Sequence, residues 1–88
     1  MRNSKTFFAN GLLLQYVYNK NPLIGFSVSK KYGSAVKRNL FKRRCRSAYK
    51  KILINKNCNV SIVFNPKEQN ISNQTIVSAL ASIYEKNI

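Results

Sequence analysis

The stretch GFSVSKKYGSAVKRNLFKRRCRSAY, residues 25–49, decides how this chain of 88 residues folds. Within residues 23–30, apolar residues alternate with small ones, and this period of two predicts a strand with one apolar face. The apolar members are Ile24, Phe26 and Val28, and the small members are Gly25, Ser27 and Ser29. Ser34 can cap a helix with its side-chain oxygen, and that helix is predicted to run from about Ala35 to Leu53. The stretch therefore predicts a strand followed directly by a long helix.

The predicted helix is apolar on one side and basic on the rest. At 100° per residue its apolar residues fall within one sector, and basic residues fall on both flanks of it. The apolar sector is Phe41, Cys45, Ala48, Tyr49 and Ile52; one flank carries Asn39, Lys42, Arg43, Arg46 and Lys50, and the other carries Lys37, Arg44 and Lys51. Between Lys30 and Lys51 there are ten Lys or Arg and no acid, so the Glu–Lys pairs that stabilise a solvated helix cannot form. This surface is predicted to bind the phosphates of a nucleic acid.

The composition supports a polyanion as partner and argues against catalysis by the protein itself. Sixteen Lys and Arg stand against two acids, Glu68 and Glu85, which gives a formal net charge of +14. The chain has no His and no Asp, which excludes a catalytic triad, an Asp dyad and a His-ligated metal, so no catalytic and no metal-binding residue is predicted. Cys45 and Cys58 lack the C-x-x-C spacing and are predicted to be reduced thiols, as in a cytoplasmic protein. No apolar run approaches the ~18–20 residues of a membrane span, so no membrane partner is predicted.

The remaining sequence predicts further strands and a second helix. Residues 12–18 are rich in strand formers, and Val60, Ile62 and Phe64 alternate in a strand that ends at Asn65-Pro66. Ser72 can cap a final helix whose residues Ile76, Leu80, Ile83 and Tyr84 have helical spacing. The predicted fold class is α+β, a two-layer α/β sandwich with a three- to four-stranded sheet, a basic helix between two strands and a covering C-terminal helix. The whole of residues 1–88 is predicted to form a single RNA-binding domain.

Residues 25–49 also resemble the signature of the bacterial ribonuclease P protein family. That pattern runs approximately G-x-S-V-S-K-K-x-G-N-A-V-x-R-N-R-x-K-R-x-x-R-E-A. The residues that match it in register, without a gap, are Val28, Ser29, Lys30, Lys31, Gly33, Ala35, Val36, Arg38, Asn39, Lys42, Arg43, Arg46 and Ala48. A match this dense is far more specific than a short motif.

The resemblance implies a left-handed β-α-β crossover through the basic helix and a place in ribonuclease P, the endoribonuclease that removes the 5′ leader of precursor tRNA. The protein subunit would be noncatalytic, its partners would be the catalytic RNA and precursor tRNA, and Mg²⁺ would be held mainly by the RNA. No obligate protein partner is implied. The signature residues implied to contact the catalytic RNA are Arg38, Asn39, Lys42, Arg43 and Arg46. Together with Lys30, Lys31, Lys37 and Lys50 of the basic run, they make up the nine residues predicted to bind RNA. A cleft between sheet and helix would hold the single-stranded leader, with Tyr16 aligned with a cleft aromatic of the family and Ser27 on the small-residue face.

Three departures from the family pattern bear on function. Leu40 stands where the signature has its second Arg, Ser47 stands where it has Glu, and the chain begins where the family's first helix should already have ended. The chain is accordingly expected to lack that N-terminal helix. Two other hypotheses remain open: a generic RNA-binding or ribosomal protein of similar build, and a cationic domain that lies on anionic membranes.

Overall fold

Four strands and two long helices make up the described part of the chain in this computed structural model, which covers residues 4–86. The strands are β1 (Lys5–Ala9), β2 (Leu12–Tyr18), β3 (Ile24–Phe26) and β4 (Val60–Pro66), and the helices are α1 (Ala35–Ile52) and α2 (Asn73–Lys86). Single turns of 3₁₀ helix at Lys30–Tyr32 and Ile54–Lys56 flank α1. The predicted domain extends over residues 1–88, of which 1–3 and 87–88 lie outside the described residues.

The strands form one mixed sheet in the order β1-β2-β4-β3. β1 and β2 are an antiparallel hairpin whose two turn residues, Asn10 and Gly11, have φ of 51° and 82°. Positive φ at both positions is the geometry that joins two strands without splaying them. β4 pairs antiparallel with β2 and parallel with β3, so β3, α1 and β4 form a β-α-β crossover. These findings confirm the predicted α+β class and place the basic helix between two neighbouring strands.

β3 is shorter than the strand predicted over residues 23–30, and the reason lies in β4. The amide of Ser27 donates to the carbonyl of Phe64 at 2.9 Å. The next bond of a parallel ladder would require an amide donor from Pro66, which has none. The chain therefore leaves the sheet after Ser27 and enters the 3₁₀ turn at Lys30–Tyr32. The predicted strand boundary was wrong at this end.

Both helices pack on the same face of the sheet, which makes the two-layer sandwich that the sequence predicts. The core contains residues of β2, β4, α1 and α2, all less than 9% exposed: Leu12, Leu14, Tyr16, Val60, Ile62, Phe64, Phe41, Cys45, Ala48, Tyr49, Ile76, Ala79, Leu80 and Ile83. Two tyrosine hydroxyls bond across the layers, since Tyr49 donates to the carbonyl of Val60 and Tyr18 donates to that of Ile83. Buried polar atoms are thus paired, as a stable core requires.

Both long helices begin at the serine caps that the sequence predicts. The amide of Lys37 donates to Ser34 Oγ at 3.3 Å, and the amide of Thr75 donates to Ser72 Oγ at 3.1 Å. Both serines therefore act as the predicted caps, because each satisfies a backbone donor that the helix cannot. Among residues 4–86, no helix is both long enough and apolar enough to cross a lipid bilayer.

Candidate nucleic-acid interface

α1 turns its apolar stripe into the core and presents its basic residues outward. Of the nine residues predicted to bind RNA, Lys30 and Lys31 are exposed in the 3₁₀ turn just before α1. The other seven lie on α1: Lys37, Asn39, Arg43, Arg46 and Lys50 are exposed, and Arg38 and Lys42 are half-buried. All nine therefore lie on α1 or in the turn before it, and together they are called here the α1 surface.

The α1 surface has two flanks with different neighbours. On the flank that faces β3, the guanidinium carbon of Arg46 lies 5.1 Å from the ring centre of Phe26. Phe26 in turn stacks on Phe64 of β4, with ring centres 5.5 Å apart. On the opposite flank, Lys37 and Arg44 face the segment that leads into α2. The helix is thus in contact with the sheet on one side and with α2 on the other.

The α1 surface concentrates positive charge without local neutralisation. Arg38, Lys42, Arg46 and Lys50 follow one another at intervals of four residues, so each stands one helical turn from the next. α1 contains no acid, and both acids of the chain lie elsewhere: Glu68 precedes α2, and Glu85 is near its end. The positive electrostatic potential of these residues attracts a polyanion and raises its rate of association.

A cleft of about 880 Å³ opens beside this surface, between the segment that follows β3 and the loop that follows β4. Ser27 lines it, together with Phe26 and Tyr32 from the same segment. Lys67 lines the opposite wall, and there the side-chain amide of Gln69 donates to the carbonyl of Lys31 at 2.8 Å. The cleft therefore combines aromatic rings and cations, and one acid, Glu68, also lines it.

Tyr16 does not line this cleft, and its predicted position there was wrong. Only 2% of its surface is exposed, and its ring packs edge-on against Tyr18 with ring centres 5.9 Å apart. On β2 it shares the core face with Leu12 and Leu14, because side chains two residues apart in a strand point the same way. In this packing no base can stack on the ring of Tyr16.

Sequence reasoning missed the residues that give the cleft its aromatic and cationic walls. The alternation of Phe26 with small residues predicts a side chain that faces the core; the ring does pack against the core, but it is only half-buried and also lines the cleft. Tyr32 and Lys67 fall in segments without periodicity. The one signal available for them was Pro66, whose missing amide ends the β3–β4 pairing and opens the space between the two segments.

Neither cysteine nor acid offers a metal site in the described structure. Among residues 4–86, no three His, Cys, Asp or Glu side chains come together as metal ligands. Cys45 and Cys58 are free thiols that are 0% and 1% exposed. Burial raises the pKa of both thiols, because the thiolate would lose its hydration. They therefore act as small apolar residues of the core.

Comparison with known proteins gives a consistent result. The family model described as Ribonuclease P matches residues 1–87. The ribonuclease P protein component of Finegoldia magna is 33% identical over 88 residues, which cover 97% of this chain and 78% of that protein. Among solved structures, the RNase P protein of Thermotoga maritima in complex with 1-(4-fluorophenyl)-2-thiourea aligns with a TM-score of 0.70 at 20% identity, over 93% of this chain and 84% of that one. The Staphylococcus aureus RNase P protein aligns with a TM-score of 0.70 at 22% identity, over 98% of this chain and 83% of that one. At these identities the structures show a shared fold.

Proposed function

Because the chain belongs to the ribonuclease P protein family, we propose that it is the noncatalytic protein subunit of a ribonuclease P that removes the 5′ leader of precursor tRNA. In this role it binds the catalytic RNA through the α1 surface and the single-stranded leader in the cleft. The observation that carries the proposal is that these two features lie side by side and meet where Arg46 covers Phe26. One protein can therefore contact both RNAs at once.

The α1 surface suits a folded RNA. Its guanidinium groups offer planar pairs of donors to phosphate oxygens, and the amide of Asn39 can both donate to and accept from a base or sugar edge. The surface is built on a helix that is fixed by a capped start and a buried stripe, so its charges have defined positions. Neutralising RNA phosphates also lowers the repulsion between RNA segments that divalent ions would otherwise screen.

The cleft suits a single strand of variable sequence. Aromatic rings stack on any base, and each stacked base contributes about 1–3 kcal/mol whatever its identity. Tyr32 offers such a ring, and Lys31 and Lys67 line the cleft as cations that could meet the backbone phosphates. This tolerance matters because the 5′ leaders of different precursor tRNAs differ in sequence.

The chemistry of cleavage falls to the RNA subunit in this proposal. The protein has no His and no Asp, and its two Glu are 17 positions apart on the loop before α2 and at the end of α2. Mg²⁺ would supply the activated water and charge stabilisation for phosphodiester cleavage. The described residues do not form a site for it, so we assign the ion to the RNA and no step to a protein-bound metal.

The experiment that tests leader binding by the protein compares the affinities for two substrates, precursor tRNA and mature tRNA. A complex of the chain with a bacterial ribonuclease P RNA should bind precursor tRNA more tightly than mature tRNA, while the RNA alone should discriminate less. Lys67→Ala should reduce that gain and spare affinity for the catalytic RNA. Lys20→Ala removes an equal charge from an exposed turn far along the chain from both features and should leave the gain unchanged. Equal affinity of the complex for both substrates would contradict leader binding.

A further inference from the structure

A second concave surface lies beside α1 and shares Tyr32 with the cleft. It is a groove of about 250 Å³ between α1 and the segment that leads into α2. Lys37 and Arg44 line it from α1, two helical turns apart. Its other wall is formed by residues 70–72. Lys37 belongs to the α1 surface, whereas Arg44 and residues 70–72 belong to neither the α1 surface nor the cleft.

The floor of the groove is apolar, which is unusual for a surface so rich in charge. Phe41 and Ile71 are 2% and 4% exposed and close the bottom, and Leu40 is 41% exposed at the side. Asn70 stands at the opposite edge in the left-handed backbone conformation, with φ of 59° and an exposed side chain. Its amide can both donate and accept hydrogen bonds.

This combination of groups matches the chemistry of one unstacked nucleotide. Two cations can hold the phosphate, an apolar wall can hold the face of a base, and an amide can bond to the edge of the base. Drug-sized ligands occupy pockets of about 300–1,000 Å³, and a groove of about 250 Å³ can accommodate a single base.

We propose that the groove between α1 and residues 70–72 binds one unpaired nucleotide of RNA, with its phosphate on Lys37 and Arg44 and its base against Leu40. The groove takes its cations from α1, whereas the cations of the cleft are Lys31 and Lys67, and Tyr32 lines both. It rests on the proposed function only for the identity of the RNA that supplies the nucleotide.

A substitution at Leu40 tests the proposal, because the proposal predicts weaker RNA binding where electrostatics alone predicts stronger binding. Leu40→Arg adds a positive charge and would strengthen RNA binding if the flank were only a basic surface. If Leu40 forms the wall on which a base packs, the same change fills the groove and weakens binding there. Ser47→Arg is the matched control, since it adds the same charge seven residues along the same side of α1 and outside the groove. Both positions are exposed on a helix, so both variants should fold, and far-ultraviolet circular dichroism checks this.

The measurement is nuclear magnetic resonance of the ¹⁵N-labelled full chain titrated with single-stranded octauridylate. The expected result is a set of shifted amides at residues 37–44 and 70–73 in the unaltered chain and in Ser47→Arg. In Leu40→Arg those same shifts should need about tenfold more RNA, which corresponds to the loss of one base contact. Shifts confined to the cleft and to the Arg46 flank, or equal binding at the groove in the two variants, would overturn the proposal. Because this probe needs no ribonuclease P RNA, its outcome is independent of whether the chain assists cleavage.

Discussion

The guanidinium of Arg46 covers the ring of Phe26 at 5.1 Å, and this contact joins the α1 surface to the cleft. Arg46 belongs to the basic series of α1, while Phe26 is the last residue of β3 and lines the cleft. The ring is held from beneath by Phe64. A cation over an aromatic face is attracted by the ring quadrupole, so the contact fixes the helix flank against the sheet edge.

We expect Arg46 and Phe26 to be energetically coupled. In a double-mutant cycle of Arg46→Ala and Phe26→Leu, the coupling free energy from urea unfolding should be about 0.5–1 kcal/mol. The pair Arg43→Ala and Phe26→Leu is the control, because Arg43 is exposed and its effect should simply add to that of Phe26. Additive effects in both cycles would show that the contact between Arg46 and Phe26 does not contribute to the free energy of unfolding.

Arg43 should contribute one phosphate contact. Arg43→Ala is expected to weaken binding to ribonuclease P RNA and to lower the slope of log affinity against log salt by about 0.9, because one fewer counterion is released. Arg43→Lys keeps the charge and should keep most of that slope. Filter binding or fluorescence anisotropy at several salt concentrations measures both. A slope unchanged by Arg43→Ala would remove the residue from the RNA contact surface.

Tyr49 should stabilise the packing of α1 on the sheet through its hydroxyl. The side chain is buried and donates to the carbonyl of Val60, so Tyr49→Phe leaves a buried acceptor unpaired and should cost about 1–3 kcal/mol of unfolding free energy. Tyr84→Phe is the control, since its half-buried ring keeps the contact with the Lys56 ammonium at 5.0 Å. Equal stability of the two variants in urea unfolding would argue against the hydrogen bond.

Both thiols should be inert in the folded chain. Burial raises the pKa of Cys45 and Cys58, so at mildly alkaline pH the reactive thiolate is scarce in the native state and abundant in the unfolded state. A chromogenic aromatic disulfide should react slowly with the native protein and rapidly, with two thiols per chain, in denaturing urea. Rapid reaction of either thiol without denaturant would contradict its place in the core.

The local features of the fold could be predicted from sequence, and the nonlocal ones could not. The start of α1 and its apolar stripe depend on Ser34 and on residues one turn apart, so the pattern of residues 34–53 contains them. The end of β3 depends on Pro66, which is distant in sequence and becomes its neighbour only when the sheet forms.

In the candidate site, too, the local features could be predicted from sequence and the nonlocal ones could not. The nine predicted RNA-binding residues reached one surface because they share a helix and the turn before it. The alignment of Tyr16 with a family position predicts a place in the cleft, and the run of three leucines at 12–14 has no period of two that would mark the buried face of β2. The cleft itself needs Phe26 and Lys67 to approach from two separate segments, and no period in the sequence connects them.

The central claim is tested most directly by cleavage of a precursor tRNA by a bacterial ribonuclease P RNA at low Mg²⁺, with and without the chain. We expect the chain to restore cleavage at the mature 5′ end, because its α1 surface replaces part of the ionic screening and its cleft holds the leader. Tight binding to the RNA without restored cleavage would contradict the subunit role and would favour a generic RNA-binding protein.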